Sequence, residues 1–191
     1  MQFTEDSFYH IYNRGNDKQN IFFHERNYDF FLQKVEKYIA PNADLVAWCL
    51  MPNHFHFLVR ANSSSIKIVK ELPIPINALT EGIRLLLSSY TKGIQKQESM
   101  TGNLFQQKTK FKCVDEYLPT VFHYIHQNAL RAKLVNRLED WKWSSLSEYL
   151  GRDSTQLCKK EIANKYVEVN WARLIEESYL VIPDDIQSKI L

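Results

Sequence analysis

The sequence predicts an α+β protein in which an antiparallel sheet carries helices on one face. Its short apolar runs alternate as strands do, and two long segments repeat their apolar residues every three to four positions, as helices do. The order along the chain is β-α-β-β-α-β, which is the order of a ferredoxin-like βαββαβ sandwich. A further helix and a weakly patterned C-terminal helical extension follow the sandwich.

The first sixty residues contain the first four predicted elements. Residues 8–13 alternate and are rich in strand-forming side chains, which predicts a strand. Residues 25–39 carry one apolar stripe at helical spacing, which predicts a helix. Pro52-Asn53 is a turn signal between two apolar runs and predicts a hairpin, with strands over residues 45–50 and 55–59.

The rest of the chain contains three further elements and the extension. A helix is predicted over residues 76–97 from a stripe of Leu, Ile and Tyr, and a last strand over 104–114. Another long helix is predicted over 116–134. We therefore expect one domain over residues 1–150 and a C-terminal helical extension of unknown role over 151–191.

Charge and cysteine content limit the function classes. The formal net charge is only +2, so any affinity for nucleic acid has to come from a local patch. The three cysteines are scattered, which argues against a disulfide framework or a zinc knuckle. The sequence shows neither a secretory signal pattern nor an apolar run long enough for a membrane span. We expect a cytoplasmic protein without a membrane partner.

The run Met51-Pro52-Asn53-His54-Phe55-His56-Phe57-Leu58-Val59 is the most informative stretch. Residues two apart in a strand point to the same face, so the imidazoles of His54 and His56 lie side by side. Phe55 and Phe57 then face the other way, into a core. Two neutral imidazoles form half of a divalent-metal site. The alternative is a pair of partly buried histidines that hydrogen bonds satisfy.

Two other patterns carry possible chemistry. Lys108, Lys110 and Lys112 alternate on one face of the last strand, a row that suits phosphates, although lysines also protect exposed sheet edges. Tyr124 and Asn128 are four residues apart and share a helix face. They could be a nucleophile and a metal ligand if the His pair lies opposite. By spacing alone, a core tyrosine and a packing asparagine are the better explanation.

Together these stretches resemble one family. The run around His54 and His56 resembles the His-hydrophobic-His motif of HUH single-tyrosine, single-strand DNA transposases, and the subgroup it resembles most is the REP-associated tyrosine transposases. Other stretches resemble the family in the same order: residues 8–15, 101–108, 124–135 and 143–151. Ala129 and Lys133 depart from the pattern, since the family has Pro and Gly at those positions.

The resemblance implies a metal-dependent single-stranded DNA endonuclease and strand transferase. His54, His56 and Asn128 would hold one Mg²⁺ or Mn²⁺. Tyr124 would attack the scissile phosphate, leaving a 5′-phosphotyrosine link and a free 3′-OH.

The resemblance also implies that the substrate is single-stranded DNA beside the hairpin of a palindromic repeat. The row of Lys108, Lys110 and Lys112 would contact the DNA, with Arg14 and Arg131 as further candidates. We expect a monomer or homodimer associated with the nucleoid.

Two other functions are compatible with the sequence. A histidine-triad nucleotide hydrolase also alternates His along a strand, but the third alternate position here is Leu58. A domesticated hairpin-binding protein would keep the fold without turnover. The presence of His54, His56, Tyr124 and Asn128 favours the enzyme.

Overall fold

The main sheet has four antiparallel strands in the computed structural model, which describes residues 1–71, 73–152 and 156–190. The strands are β1 (Phe8–Arg14), β2 (Asp44–Met51), β3 (His54–Arg60) and β6 (Lys110–Cys113). Their spatial order is β2-β3-β1-β6. This is the strand order of a ferredoxin-like sandwich, so the predicted fold class is confirmed.

Two helices cover one face of the sheet. These are α1 (Glu25–Tyr38) and α3 (Ala78–Glu98), which pack against each other. The alternating side chains Phe55 and Phe57 of β3 point to this face and are fully buried among the helix side chains. The side chain of Asn77 starts α3 by accepting a hydrogen bond from the amide of Thr80 (2.9 Å).

The opposite face of the sheet is covered by α4 (Leu118–Arg131), which packs on β2 and β3. Helices therefore lie on both faces of the sheet. The prediction of helices on one face fits α1 and α3, and α4 adds a layer on the other face. Leu58 of β3 and Ile125 of α4 lie together in this second core, fully buried. The second layer brings α4 to the side of the sheet on which His54 and His56 lie.

The last strand of the main sheet is shorter than the sequence predicts. The strand predicted over residues 104–114 is wrong in its first half, because β6 includes only Lys110–Cys113. The side-chain amide of Asn13 donates to the carbonyl of Gln106 (3.1 Å) and to the hydroxyl of Thr109 (2.9 Å). These bonds hold the preceding stretch as an irregular loop beside β1.

Helix α4 ends at Arg131, three residues earlier than predicted. Lys133 adopts a left-handed conformation with φ of 57°. The amide of Lys133 donates to the carbonyl of Leu130 (2.9 Å), and the amide of Leu134 donates to that of Ala129 (3.0 Å). This pair of bonds is a Schellman motif, which stops the helix and favours glycine at the left-handed position.

Short elements complete the described chain: α2 (Ser63–Ile66), β4 (Ile68–Lys70), β5 (Ile76–Asn77), α5 (Leu146–Tyr149), α6 (Lys160–Tyr166), α7 (Leu174–Ser178) and α8 (Asp184–Ile190). Strands β4 and β5 form a separate ribbon. Helices α6, α7 and α8 bury Ala163, Leu174 and Ile190 in the same core as α4. Within the described residues, no helix is long and apolar enough to cross a bilayer.

Candidate active site

Strand alternation places the His pair on the sheet face that carries α4. In the antiparallel register of β1 and β3, Arg14 lies opposite His54 and Tyr12 lies opposite His56. All four side chains therefore project from the same face, as residues at alternate positions do. The sequence predicts this arrangement for His54 and His56, and the same alternation along β1 extends it to Tyr12.

These side chains lie at the base of a cleft of about 360 Å³. We call this cavity the cleft. Its lining joins aromatic, amide and cationic side chains from β1, β3, β6, α4 and the loops between them: Tyr12, Asn13, Arg14, Lys18, Asn53, His54, His56, Gln106, Lys108, Lys110 and Tyr124. The structure thus brings Tyr124 to His54 and His56, from which it is distant in the sequence.

Hydrogen bonds define the state of the His54 ring. Its Nδ1 lies 2.6 Å from Oδ1 of Asn53, while Nδ2 of Asn53 donates to the carbonyl of Lys18 (3.2 Å). Because an amide oxygen only accepts, Nδ1 of His54 carries the proton, and Nε2 keeps its lone pair. Burial, together with the charge of Arg14, lowers the pKa of His54 to about 4, so the ring is neutral at pH 7.

The His56 ring is held by a second histidine. Nδ1 of His56 lies 2.8 Å from Nε2 of His10, and Nδ1 of His10 lies 2.7 Å from the carbonyl oxygen of Ile190. Burial lowers the pKa of His10 to about 4, although the bond to Ile190 acts in the opposite direction. Burial and the neighbouring histidines hold the pKa of His56 well below its usual range. Both rings are therefore neutral at pH 7.

Tyr124 reaches the same site from α4. Its ring stands edge-on to the rings of His56 and His10, at centroid distances of 5.8 and 6.0 Å. Burial raises the pKa of Tyr124 to about 12, and the nearby charge of Arg131 acts in the opposite direction. The phenol is therefore protonated at pH 7, and it needs a proton acceptor before it can attack as a nucleophile.

Asn128 is one helical turn beyond Tyr124 and is nearly buried. Its Nδ2 donates to the carbonyls of Tyr124 (2.9 Å) and Ile125 (3.3 Å). This leaves Oδ1 as the atom that could bind a metal, but Asn128 does not line the cleft. Among the described residues, no group of three or more His, Cys, Asp or Glu side chains is placed to hold a metal ion.

The donor atoms that do face the cleft fit a divalent ion. His54 and His56 are both neutral, so each ring offers one nitrogen lone pair, and both side chains lie on one strand face. Two imidazoles with oxygen ligands from an amide, water or phosphate suit Mn²⁺ and admit Mg²⁺.

Three of the predicted DNA contacts line the cleft, namely Arg14, Lys108 and Lys110. Nζ of Lys110 lies 5.5 Å from the ring centroid of Tyr12, which places the charge above an aromatic face. These cations therefore line the same cleft as the His pair.

The other two predicted DNA contacts face α8. Nζ of Lys112 donates to the carbonyl of Ser188 (3.2 Å), and Nη2 of Arg131 donates to Oε1 of Gln187 (2.5 Å). The guanidinium of Arg131 also lies 5.8 Å from the ring of Tyr124. Neither residue lines the cleft. Their role in DNA binding stays a prediction.

Besides Asn53, which the sequence indicated only as part of a turn, sequence reasoning missed His10 and Tyr12 as residues of the site. The signal was available, because the two positions alternate on β1 as His54 and His56 do on β3. No sequence pattern pointed to the carbonyl of Ile190 as the hydrogen-bond partner of His10, since any residue supplies such an oxygen.

Fold and cleft define a class of architecture: a ferredoxin-like sheet whose His-x-His strand faces a tyrosine on an added helix. The structure is similar to that of a REP-associated tyrosine transposase bound to a REP hairpin, with a TM-score of 0.62 and 13% identity. The match covers 80% of this chain and 84% of the transposase. The chain therefore has the fold of that transposase, as the sequence resemblance implied.

Other comparisons add little. A bacterial tRNA(His) guanylyltransferase-like protein in complex with ATP matches 68% of this chain and 59% of its own, at 10% identity, but its TM-score of 0.43 is too low to support an argument. No protein-family model matches the sequence. No curated protein matches it significantly.

Proposed function

We propose that the protein is a metal-dependent single-stranded DNA endonuclease and strand transferase that acts beside hairpins. One observation carries the proposal: His54, His56 and Tyr124 line a single cleft whose other walls hold Arg14 and Lys110. A nucleophile, two metal-ligand candidates and phosphate-binding cations are the parts that phosphodiester cleavage by a tyrosine needs.

The metal site proposed here consists of His54 and His56, with Oδ1 of Asn128, which lies outside the cleft lining, as the third ligand that the family resemblance implies. Bound Mg²⁺ or Mn²⁺ would polarise the scissile phosphate and stabilise negative charge on its oxygens. The hydrogen bonds at Nδ1 of both imidazoles orient the rings and leave Nε2 for the ion, as outer partners do in metal sites.

Tyr124 performs the covalent step in this proposal. Its Oη attacks phosphorus in line, an Oη–P bond forms, and the P–O3′ bond breaks. The upstream strand leaves with a 3′-OH, and the downstream strand stays attached as a 5′-phosphotyrosine. The phosphodiester is conserved, so a DNA 3′-OH can reverse the step without ATP. Burial keeps the phenol protonated, so its proton has to leave as Oη approaches phosphorus.

The proposed substrate follows from charge and from the similar structure. Arg14, Lys108 and Lys110 on one side of the cleft suit a single-stranded phosphate chain. The transposase with the same fold was solved with a hairpin. We infer that a hairpin from the DNA beside the gene is the right first substrate.

A cleavage assay with two labels tests the proposal. Hairpin DNA with a single-stranded flank is labelled at either its 5′ or its 3′ end and incubated with Mn²⁺ or Mg²⁺. A metal-dependent cut should release the 5′-labelled fragment and leave the 3′-labelled fragment attached to protein on a denaturing gel. Tyr124→Phe should abolish both products and retain DNA affinity.

Tyr38→Phe is the matched control, because Tyr38 lies at the end of α1 on the opposite face of the sheet. It should cleave like the wild type. Hairpin binding without any cut by the wild-type protein, with either metal, would support a domesticated DNA-binding protein instead.

A further inference from the structure

The geometry points to His10 as a positioning residue that fixes the tautomer of His56, with the carbonyl of Ile190 in α8 fixing His10 in turn. This inference rests on the proposed function for the role of His56 as a metal ligand. It assigns a role in the active site both to β1 and to the C-terminal extension.

The location of each proton follows from what each atom can do. The carbonyl oxygen of Ile190 only accepts, so the nearby Nδ1 of His10 must donate to it at 2.7 Å. His10 is completely buried, which disfavours an imidazolium. Neutral His10 with a proton on Nδ1 has a lone pair on Nε2. Nδ1 of His56, 2.8 Å away, must therefore donate to it.

The consequence appears on the other side of the His56 ring. With the proton on Nδ1, Nε2 of His56 has a lone pair, and His56 lines the cleft. Without His10, the free imidazole could place its proton on either nitrogen. The tautomer with a proton on Nε2 cannot bind a metal at that atom. Asn53, in the turn before β3, holds His54 in the equivalent tautomer, with the proton on Nδ1.

Helix α8 is anchored well enough to supply this carbonyl. The Ile190 side chain is fully buried in the second core, and Nζ of Lys189 lies 5.7 Å from the ring of Tyr117. Gln187 and Ser188 accept hydrogen bonds from Arg131 and Lys112. These contacts fix the last turn of α8, which carries the carbonyl that His10 contacts.

The test compares two variants of His10 in the full-length protein. His10→Phe keeps a flat buried ring but removes the acceptor for His56. His10→Gln restores an acceptor, because its Oε1 can occupy the place of Nε2. His126→Phe is the matched control, since it also replaces a fully buried histidine but in the Ser145 contact, away from the cleft.

The first readout is the tautomer of His56 in metal-free protein, from long-range ¹⁵N NMR of the imidazole nitrogens. Wild type, His10→Gln and His126→Phe should carry the proton on Nδ1, and His10→Phe should shift it towards Nε2. The second readout is Mn²⁺ affinity by calorimetry, which His10→Phe should weaken about 10- to 100-fold, as loss of an outer-shell partner does.

Two results would overturn the inference: a proton on Nε2 of His56 in the wild type, or an unchanged tautomer and Mn²⁺ affinity in a folded His10→Phe variant. If the wild type binds no Mn²⁺, the proposed metal site fails. The tautomer of His56 in wild type and His10→Phe still decides whether His10 orients it.

Discussion

Burial sets the charge of several single residues on the α4 side of the sheet. His126 of α4 shows this outside the cleft: its Nε2 lies 2.8 Å from Oγ of Ser145, and its buried Nδ1 has no hydrogen-bond partner among the described residues. Burial, with a smaller effect of His123, lowers the pKa of His126 to about 3. The folded protein therefore resists protonation of a ring that the unfolded chain protonates readily.

His126 should make the protein less stable in mild acid. The unfolded ring titrates near pH 6.5 and the folded one near 3, so the unfolded chain binds one more proton between those values. The stability from the neutral ring is complete above about pH 6.5 and is lost as the pH falls, by about 1.4 kcal/mol per pH unit. Urea unfolding of wild type and His126→Phe at several pH values measures the difference in slope.

On acidification, His126→Phe should lose less stability than the wild type. The two slopes should differ by about 1.4 kcal/mol per pH unit, the value for one proton. Other buried histidines titrate equally in both proteins, so the comparison isolates His126. Equal slopes would mean that His126 is protonated in the folded state.

At the scale of elements, the end of α4 stores strain at Lys133. A side chain in the left-handed region costs about 1–2 kcal/mol, and glycine has no such cost but loses more entropy on folding. Lys133→Gly should therefore raise the free energy of unfolding by about 0.5–1 kcal/mol. Lys133→Ala keeps a Cβ at φ of 57° and should give no such gain. Urea denaturation of the three proteins compares them, and equal gains for both variants would contradict this account of the turn.

The lysines of the predicted row have different surroundings in the structure. Lys110 lines the cleft, whereas Lys112, two residues further, contacts Ser188. We expect Lys110→Gln to weaken binding of single-stranded DNA. The fall of log affinity with log salt should become shallower by about 0.7, because one phosphate contact is lost. Lys112→Gln should change both less.

Fluorescence anisotropy with a labelled hairpin strand, between about 50 and 200 mM salt, measures both slopes. A larger effect of Lys112→Gln would mean that the DNA path follows β6 towards α8 rather than the cleft.

For the molecule as a whole, local patterns were sufficient to predict the sandwich. Alternation along β1, β2 and β3 and the stripes of α1 and α3 are properties of neighbouring residues, so a sequence displays them. The shorter β6 depends on contacts between Asn13 and the loop before β6. Gln106 in this loop is 93 residues further along the chain than Asn13. The position of the extension likewise depends on the buried core that its helices share with α4.

The site also contains some residues that the sequence predicts and others whose contacts join distant parts of the chain. Spacing placed His54 beside His56, and the family resemblance brought Tyr124 to them. The bond between His10 and Ile190 joins residues 180 positions apart through a main-chain oxygen, which no side-chain pattern encodes. Asn128 was expected beside the metal, and it lies one turn from Tyr124 with its amide bound to the helix.

The most direct test of the account is to identify the residue that becomes attached to DNA. After reaction with a hairpin substrate and Mn²⁺, nuclease and protease digestion followed by mass spectrometry should find a nucleotide on Tyr124. Tyr12 also lines the cleft, with its ring 5.6 Å from that of His56. An adduct on Tyr124, absent in Tyr124→Phe, is the predicted result. An adduct on Tyr12, or one that persists in Tyr124→Phe, would contradict the assignment of Tyr124 as the nucleophile.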